Sequence, residues 1–347
     1  MSKIMVAMSG GVDSSVAAYL LQQAGNSCVG VTMRLYESVN TCCTEDNIAD
    51  AKAVADSLAI PFEVVDFTDD FAKCVIEPFI YAYEIGATPN PCVECNRNLK
   101  FGHLHQVAAE RGFDKVATGH YARIVCENGR YLLKKGVDLS KDQSYVLYTL
   151  TQNELARTVF PIGEYSKSQI REIAETNRLA SANRKDSQDI CFVPDGDYAA
   201  FIERYTGKVY PDGNFIDRQG NILGRHKGII RYTTGQRKGL GLALPAPMYV
   251  CEKRLGTNEV VLCPNDELFT NSLDANRFNW IACDTPSAPI RAFVKIRYSQ
   301  VEQPALVIPT GNDSVHIEFD SQQRAVTVGQ SAVVYDGDTV IGGGTII

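Results

Sequence analysis

The stretch Ser9-Gly10-Gly11-Val12-Asp13-Ser14-Ser15 directly follows an apolar run over 4–8 and precedes a helical pattern over 14–24. Glycines let the main chain approach a ligand closely, and free amides at a helix N-terminus face anions. Asp13 beside a polyphosphate suggests an Mg²⁺ partner, direct or through water. The lysine of a GxxxxGK(S/T) loop and the GxGxxG spacing are both absent. The stretch therefore predicts a phosphate-binding βα turn of another kind.

This pattern matches the pyrophosphatase-type loop (PP-loop) of adenylating enzymes. Such enzymes cleave ATP between the α and β phosphates and activate an oxygen as its AMP ester. The alternative is a plain tight βα turn, in which Gly-Gly pairs are common. The strand before the loop and the helix after it are the context that the nucleotide-binding interpretation requires.

Strand and helix signals alternate through the first 120 residues. Strands are predicted over 4–8, 28–35, 62–65 and 115–118, and helices over 14–24, 46–58 and 96–111. A capping box at Ser166-Lys167-Ser168-Gln169 predicts a further helix over 169–178. This alternation is typical of βαβ units around a parallel sheet. We predict an α/β fold with a doubly wound parallel sheet of the PP-loop ATP pyrophosphatase (adenine nucleotide alpha hydrolase-like) type.

Glycine turn pairs and short strand signals replace this pattern after about residue 205. The 347 residues exceed one typical core. We predict an adenylating catalytic domain over 1–203, a small basic central domain over 204–266 and a C-terminal antiparallel β-barrel over 267–347.

Charge is distributed unevenly. The chain has a net charge of −7, yet residues 203–254 carry ten Lys and Arg against four Asp and Glu, a balance of +6. A local basic surface suits an anionic polymer, and a solvated charged face is an equal alternative.

The N-terminal sequence and the number of cysteines indicate the cellular compartment. The chain shows no signal-peptide pattern and no apolar stretch long enough for a membrane span. Its eleven cysteines are an odd number, which disfavours a disulfide framework. We predict a cytoplasmic protein without membrane association.

Two further segments point to the predicted nucleotide site. Thr118-Gly119-His120-Tyr121 follows a predicted strand, and ligands bind along the carboxyl edge of a parallel sheet. Gly119 would allow close approach to a nucleotide, and His120 could donate a hydrogen bond. Met33 could pack on an adenine ring or in the core.

Three cysteines lie in sequence contexts that suggest a chemical role. Cys92-Val93-Glu94-Cys95 precedes the helix predicted to start near Asn96, and thiols at a helix N-terminus have lowered pKa values. The CxxC pattern alone also fits half a zinc site, a redox dithiol or cluster ligands, although a second zinc-spaced motif is missing. Cys191 follows a polar stretch over 185–189 and is the third candidate. Cys42-Cys43 is interpreted as a local structural pair.

With these motifs assembled, the chain closely resembles the tRNA-specific 2-thiouridylase family (MnmA) over nearly its whole length. The matching segments are 8–15, 88–96, 117–123, 141–145, 160–164, 187–192, 234–241, 297–298 and 329–332. The family makes 2-thiouridine at the wobble position of certain tRNAs.

The resemblance implies ATP, Mg²⁺, tRNA and a sulfur-donating protein, either a cysteine desulfurase or a sulfur carrier. It implies that Cys95 is the nucleophile and that Cys191 carries the persulfide sulfur. The ATP residues that it implies are Ala7, Met8, Ser9, Gly10, Gly11, Val12, Asp13, Ser14, Met33 and Gly119. The tRNA residues that it implies are Asn90, Pro91, Cys92, His120, Lys141, Asp142, Gln143, Arg297, Tyr298 and Gln330.

The chain departs from the family pattern at Cys92, where the best-known members carry aspartate. This weakens a role for Cys92 as a base or an orienting carboxylate. It opens an alternative in which Cys92, Cys95 and Cys191 ligate a 4Fe–4S cluster with one open iron. We place the persulfide route first.

Two other functions compete with this interpretation. A small-molecule amide synthetase would share the ATP loop but would have no use for Cys95 and Cys191. A non-catalytic RNA-binding scaffold would explain the basic segment and the β-rich tail but not the ATP loop.

Overall fold

The computed structural model describes residues 1–36, 45–182, 190–311 and 313–347. Cys42-Cys43 and the polar stretch before Cys191 lie outside these residues. None of the described helices is long and apolar enough to cross a bilayer.

The N-terminal region is built around parallel strands. Its strands are β1 (Lys3–Ala7), β2 (Ser27–Arg34), β3 (Phe62–Asp66), β4 (Lys115–Ala117), β5 (Ala122–Glu127), β6 (Arg130–Lys135) and β7 (Thr158–Val159). Five of them form one parallel sheet in the order β3-β2-β1-β4-β7. The parallel α/β sheet predicted from the alternating pattern is confirmed.

Both faces of this sheet are buried. Ile4, Val6 and Met8 pack in one hydrophobic cluster, and Met5 and Ala7 pack in another. A strand covered on both faces has to be apolar at consecutive positions, which is why the run before the glycines reads as continuous rather than alternating.

Helices cover the two faces. They are α1 (Val12–Gln23), α2 (Glu45–Ser57), α3 (Thr68–Phe71), α4 (Glu77–Glu84), α5 (Pro91–Cys95), α6 (Leu104–Glu110), α7 (Gln152–Ala156), α8 (Lys167–Thr176) and α9 (Tyr198–Thr206). The π-helical segment Ala72–Ile76 joins α3 to α4, and Asn96–His103 joins α5 to α6. The sequence analysis did not predict the helix formed by α3 and α4.

Two further sheets follow. The strands β8 (Gly213–Ile216), β9 (Ile222–His226), β10 (Tyr249–Arg254) and β11 (Glu259–Cys263) form one sheet in the order β10-β11-β8-β9. The barrel strands are β12 (Phe269–Trp280), β13 (Ile290–Lys295), β14 (Gln303–Pro309), β15 (Val315–Arg324), β16 (Ser331–Asp336) and β17 (Thr339–Ile346). Because β12 pairs with both β15 and β17, the six antiparallel strands close into the predicted barrel.

The barrel joins the N-terminal region through a hairpin. Strands β5 and β6 extend the barrel sheet at β17, where Thr339 pairs with Lys134. The predicted domain limit at 203/204 falls within α9, whose Phe201 and Ile202 pack in the cluster that also contains Met5. The exact domain limits stay a prediction.

Candidate nucleotide and thiol site

The loop after β1 has little room for side chains. Gly10 has φ +76°, and a Cβ there would lie 2.6 Å from the backbone oxygen of Asn47. Gly11 precedes α1, and no side chain caps that helix. The first amides of α1 therefore remain available for an anion.

Serine hydroxyls brace the loop internally. The Ser9 amide donates to Ser14 Oγ at 3.2 Å, and the Ser14 and Ser15 hydroxyls both donate to the Gly11 oxygen. These bonds brace the turn from within. A glycine turn of this kind, followed by uncapped helical amides, is suited to bind an anion.

The end of β4 lies directly against this loop. A Cβ at Gly119 would be 2.8 Å from the backbone nitrogen of Ser14. The structure thus brings together two of the segments that the sequence analysis assigned to one nucleotide site. Met33 lies half-buried near the end of β2 and packs against the cluster that contains Ala7.

Asp13 is held by two residues that the sequence analysis missed. Tyr121 Oη donates to its Oδ1 at 2.7 Å, and Lys167 Nζ donates to Oδ1 at 2.8 Å and to Oδ2 at 2.9 Å. Lys167 is buried. A lysine therefore lies beside the loop in the folded chain, although the loop sequence itself contains none.

Lys167 occupies an unfavourable position for a cation. It is the first residue of α8 and lies between the two residues of the predicted capping box. The structure confirms that capping box at Ser166 and Gln169. A positive charge at a helix N-terminus opposes the helix dipole. A lysine in the first turn of a predicted helix was the one feature of the sequence that could have indicated a role for Lys167.

These contacts limit how Asp13 can meet Mg²⁺. Its two oxygens already accept three hydrogen bonds. Within the described ranges, no group of three metal-ligating side chains stands together. The residues present fit Mg²⁺ only through water, with phosphate oxygens as its main ligands.

The CxxC motif lies inside a helix, not before one as predicted. Asn90 caps α5 by accepting the Cys92 amide at 3.2 Å, and Pro91 takes the first helical position. Proline is favoured there because its missing N–H would have had no helical partner. Cys92 and Cys95 consequently lie one turn apart on the same helix.

Cys95 and Cys191 border one hydrophobic cluster. Cys95 is buried in it together with Ala7, and half-buried Cys191 packs against it. Phe192 anchors the Cys191 backbone by edge-to-face contacts with Phe71 at 5.6 Å and Phe79 at 5.2 Å. The two thiols and the strand that leads to the glycine loop thus share one side of the sheet.

Cys92 differs from the expected low-pKa thiol. It is exposed to solvent, yet desolvation by the protein around it raises the pKa of its thiol, with the Lys100 charge opposing that rise. The prediction that it would react as a ready thiolate is not supported, because desolvation outweighs the helix N-terminus.

The 4Fe–4S alternative on Cys92, Cys95 and Cys191 does not fit. In the part of the chain that the structure describes, no set of three His, Cys, Asp or Glu side chains could hold a metal ion. Cys92 opens to solvent whereas Cys95 is buried in the apolar cluster, so the thiols do not converge on one point.

Residues assigned to tRNA line the junction between barrel and N-terminal region. Tyr298 Oη donates to the Asp142 backbone oxygen at 3.1 Å, and Gln330 Nε2 donates to the Thr88 oxygen at 2.8 Å.

Other residues assigned to tRNA make contacts within one region. Gln143 accepts the Tyr121 amide at 2.9 Å. Arg297 donates to the Ala325 oxygen and to Thr327 Oγ1. Lys141, Gln143 and Arg297 are half-buried, and Tyr298 is exposed.

Two of the assigned residues are turned inwards. The Asp142 carboxylate accepts the Gly136 and Ser144 amides, each at 3.1 Å. His120 is buried, its Nδ1 lies 2.7 Å from Thr118 Oγ1, and burial together with the Lys100 charge holds its pKa well below the ordinary value. A neutral, enclosed imidazole cannot serve as a cationic phosphate contact.

Comparisons with known proteins agree along the chain. Family models match residues 2–195 (tRNA methyl transferase HUP domain), 199–264 (tRNA methyl transferase PRC-barrel domain) and 270–346 (Aminomethyltransferase beta-barrel domain). A tRNA-specific 2-thiouridylase MnmA of Lachnoclostridium phytofermentans is 49% identical over 356 residues, covering 100% of both chains.

Two other relatives with the same name are similar at full length. The protein of Clostridioides difficile is 48% identical and covers 99% of this chain and 98% of its own length. That of Geotalea uraniireducens is 47% identical, with 99% and 94% covered. With this identity over the full length, the chain belongs to the tRNA-specific 2-thiouridylase family.

Proposed function

We propose that the chain transfers sulfur to C2 of the wobble uridine of tRNA at the expense of ATP, through an adenylated uridine and a persulfide on Cys191. The observation that carries the proposal is the shared hydrophobic cluster of Ala7, Cys95 and Cys191. Ala7, at the end of the strand that leads to the loop, and Cys95 are buried in this cluster, and Cys191 packs against it. An amide synthetase would have no need of that arrangement.

ATP would lie over the loop, with its phosphates on the first amides of α1 and its adenine near Met33 and Gly119. The residues proposed to contact it are Ala7, Met8, Ser9, Gly10, Gly11, Val12, Asp13, Ser14, Met33 and Gly119. Mg²⁺ would be held by phosphate oxygens and by water bound to Asp13, and it would neutralise charge on the departing pyrophosphate.

Lys167 extends this site. Its ammonium lies 2.8 Å from Asp13, beside the loop that lacks a lysine of its own. We expect it to orient the Asp13 carboxylate and to add a positive charge near the phosphates, where charge stabilisation is worth most.

The first half-reaction joins O2 of the uracil to the α phosphorus and releases pyrophosphate. AMP then becomes the leaving group at C2. The outer sulfur of the Cys191 persulfide attacks C2, and AMP departs. The Cys95 thiolate attacks the inner sulfur, which leaves the outer sulfur on C2 and forms a Cys95–Cys191 disulfide. A thiol reductant must supply two electrons before the next turnover.

The target base has to leave the anticodon stack to reach this chemistry. Asn90, Pro91 and Cys92 would meet the base, and Lys141, Gln143, Arg297, Tyr298 and Gln330 would hold the RNA around it. For His120 and Asp142, burial favours an indirect, structural role. A cysteine desulfurase or a sulfur carrier protein would load Cys191, and we expect this to occur in the cytoplasm.

Mass spectrometry of tRNA nucleosides tests the proposal. Incubation with ATP, Mg²⁺ and a sulfur donor should yield 2-thiouridine in tRNA, and omission of ATP should abolish it. Cys95→Ser and Cys191→Ser should lose the product, whereas Cys28→Ser, which changes a buried thiol on the opposite face of the sheet, should keep it. Full activity of either of the first two variants would contradict the thiol roles.

A further inference from the structure

The end of strand β13 carries a cation that is held by aromatic rings rather than by an acid. Val294 and Ile296, on either side of Lys295, pack in the barrel core, so the Lys295 side chain points outwards. Its Nζ lies 5.8 Å from the centre of the Tyr145 ring and 5.6 Å from that of the Tyr298 ring. The two rings meet edge to face, with 6.0 Å between their centres. Lys295 therefore lies where the barrel meets the segment that contains Tyr145.

The charge of Lys295 has no neutralising partner in the part of the chain that the structure describes. Two carboxylates are near enough to act on it, and both are engaged elsewhere. Asp142 accepts two backbone amides, and Glu302 pairs with Lys135. The Lys295 side chain is half-buried, and its Nζ is not among the enclosed, unpartnered atoms. Because aromatic rings attract a cation without cancelling its charge, this ammonium is available to an anionic ligand.

Residues assigned to tRNA are the neighbours of Lys295. Tyr298 is 45% exposed, and its hydroxyl is bound to the Asp142 backbone oxygen, so its ring forms part of the surface. Arg297 already donates to two oxygen atoms of the barrel. An exposed aromatic ring and an ammonium without a counter-ion thus lie side by side.

This pair of groups suits one nucleotide of a single-stranded RNA. A base of any identity can stack on an aromatic ring, and a lysine can bind a phosphate beside it. The ring can take only a base that is out of the helical stack, and single-stranded loops supply such bases. The target base of the proposed function, on which this inference rests, lies in a loop of that kind.

We propose that Lys295 and Tyr298 bind one unpaired nucleotide of the anticodon loop. Tyr298 stacks on the base, and Lys295 pairs with a phosphate. Tyr145 supports the ammonium, because its ring is buried and its hydroxyl donates to the Ser331 oxygen at 2.9 Å. The site holds the loop without reading its sequence, since every base presents an aromatic face.

Equilibrium binding of a fluorescent anticodon stem-loop to the full-length protein, across a salt series, tests the two roles separately. Lys295→Met keeps the aliphatic stem beside the tyrosine rings and removes the charge, so the slope of log affinity against log salt should fall by about 1. Lys295→Arg should keep the wild-type slope. Tyr298→Leu should weaken binding about tenfold at an unchanged slope, because stacking releases no counter-ion. Arg291→Gln, on the same strand at an exposed arginine paired with Asp320, is the matched control and should change neither quantity.

The stem alone, as a duplex without the loop, provides the second RNA. Tyr298→Leu should bind this duplex as wild type does, and equal losses on both RNAs would overturn the stacking role. An unchanged salt slope in Lys295→Met, or a loss of affinity shared with Lys295→Arg, would overturn the phosphate contact in favour of a lysine that only joins the two regions. Absence of 2-thiouridine formation by wild type would instead count against the proposed function.

Discussion

At the residue scale, the ion pair between Asp13 and Lys167 is the contact that most changes the view of the nucleotide loop. The glycines and serines could be predicted because their pattern is local. Lys167 and Tyr121 could not, since each meets Asp13 from more than a hundred residues away in sequence.

Coupling between Asp13 and Lys167 can be measured. In a double-mutant cycle with Asp13→Asn and Lys167→Met, the free energies of unfolding should be non-additive by about 1–2 kcal/mol. Each single variant leaves a partly buried polar group without its partner. Urea unfolding of the four chains gives the value, and additivity within about 0.4 kcal/mol would contradict the pair.

His105 makes stability depend on pH. It is buried, 3.2 Å from Thr158 Oγ1, and burial, with a smaller effect of Arg157, lowers its pKa to about 4. The unfolded chain, with a histidine pKa of about 6.5, binds more protons between these values, so stability rises with pH across about pH 4 to 6.5. Its share is about 3 kcal/mol at pH 7 and is lost towards pH 4.

His105→Gln should therefore flatten the unfolding free energy plotted against pH in that window. An unchanged slope in the His105 variant would contradict the assignment.

At the element scale, the strands of the parallel sheet were within reach of sequence reasoning because burial on both faces makes them continuous apolar runs. The start of α5 was not. The helix was predicted to begin near Asn96, whereas its cap and first residue are Asn90 and Pro91, which the resemblance assigned to tRNA contacts. The α3–α4 helix buries aromatic residues whose spacing is interrupted by a π turn, and this obscures the helical period.

Contact between the end of β4 and the start of α1 predicts a sharp steric effect. Gly119→Ala should weaken ATP binding severely, since the new methyl would meet the Ser14 backbone at 2.8 Å and force the loop to move. Gly256→Ala, with nothing within 4 Å, is the control. Isothermal titration with a non-hydrolysable ATP analogue measures the change, and equal affinities would show that the loop yields without cost.

At the scale of the whole molecule, several residues assigned to tRNA lie where the barrel meets the N-terminal region. Gln330 and Val328 hold Thr88 from the barrel side, and the β5–β6 hairpin continues the barrel sheet. Changes in the pattern of helix, strand and turn signals along the sequence could be used to predict three domains. It could not predict this junction, which depends on contacts between residues about 240 positions apart.

The basic segment predicts how RNA binding responds to salt. Arg237 and Lys238 are exposed on it. Replacing both with glutamine should weaken tRNA binding similarly for all tRNAs and reduce the slope of log affinity against log salt by about 2. Fluorescence anisotropy across a salt series measures this, and the same slope as wild type would move the RNA contact elsewhere.

The central claim is that Cys95 and Cys191 act together on a base activated by ATP. It is tested most directly by one turnover of persulfide-loaded protein with ATP and tRNA, without reductant, followed by peptide and nucleoside mass spectrometry. The account predicts 2-thiouridine and a Cys95–Cys191 disulfide in equal amounts. Formation of 2-thiouridine with both thiols still free would contradict it.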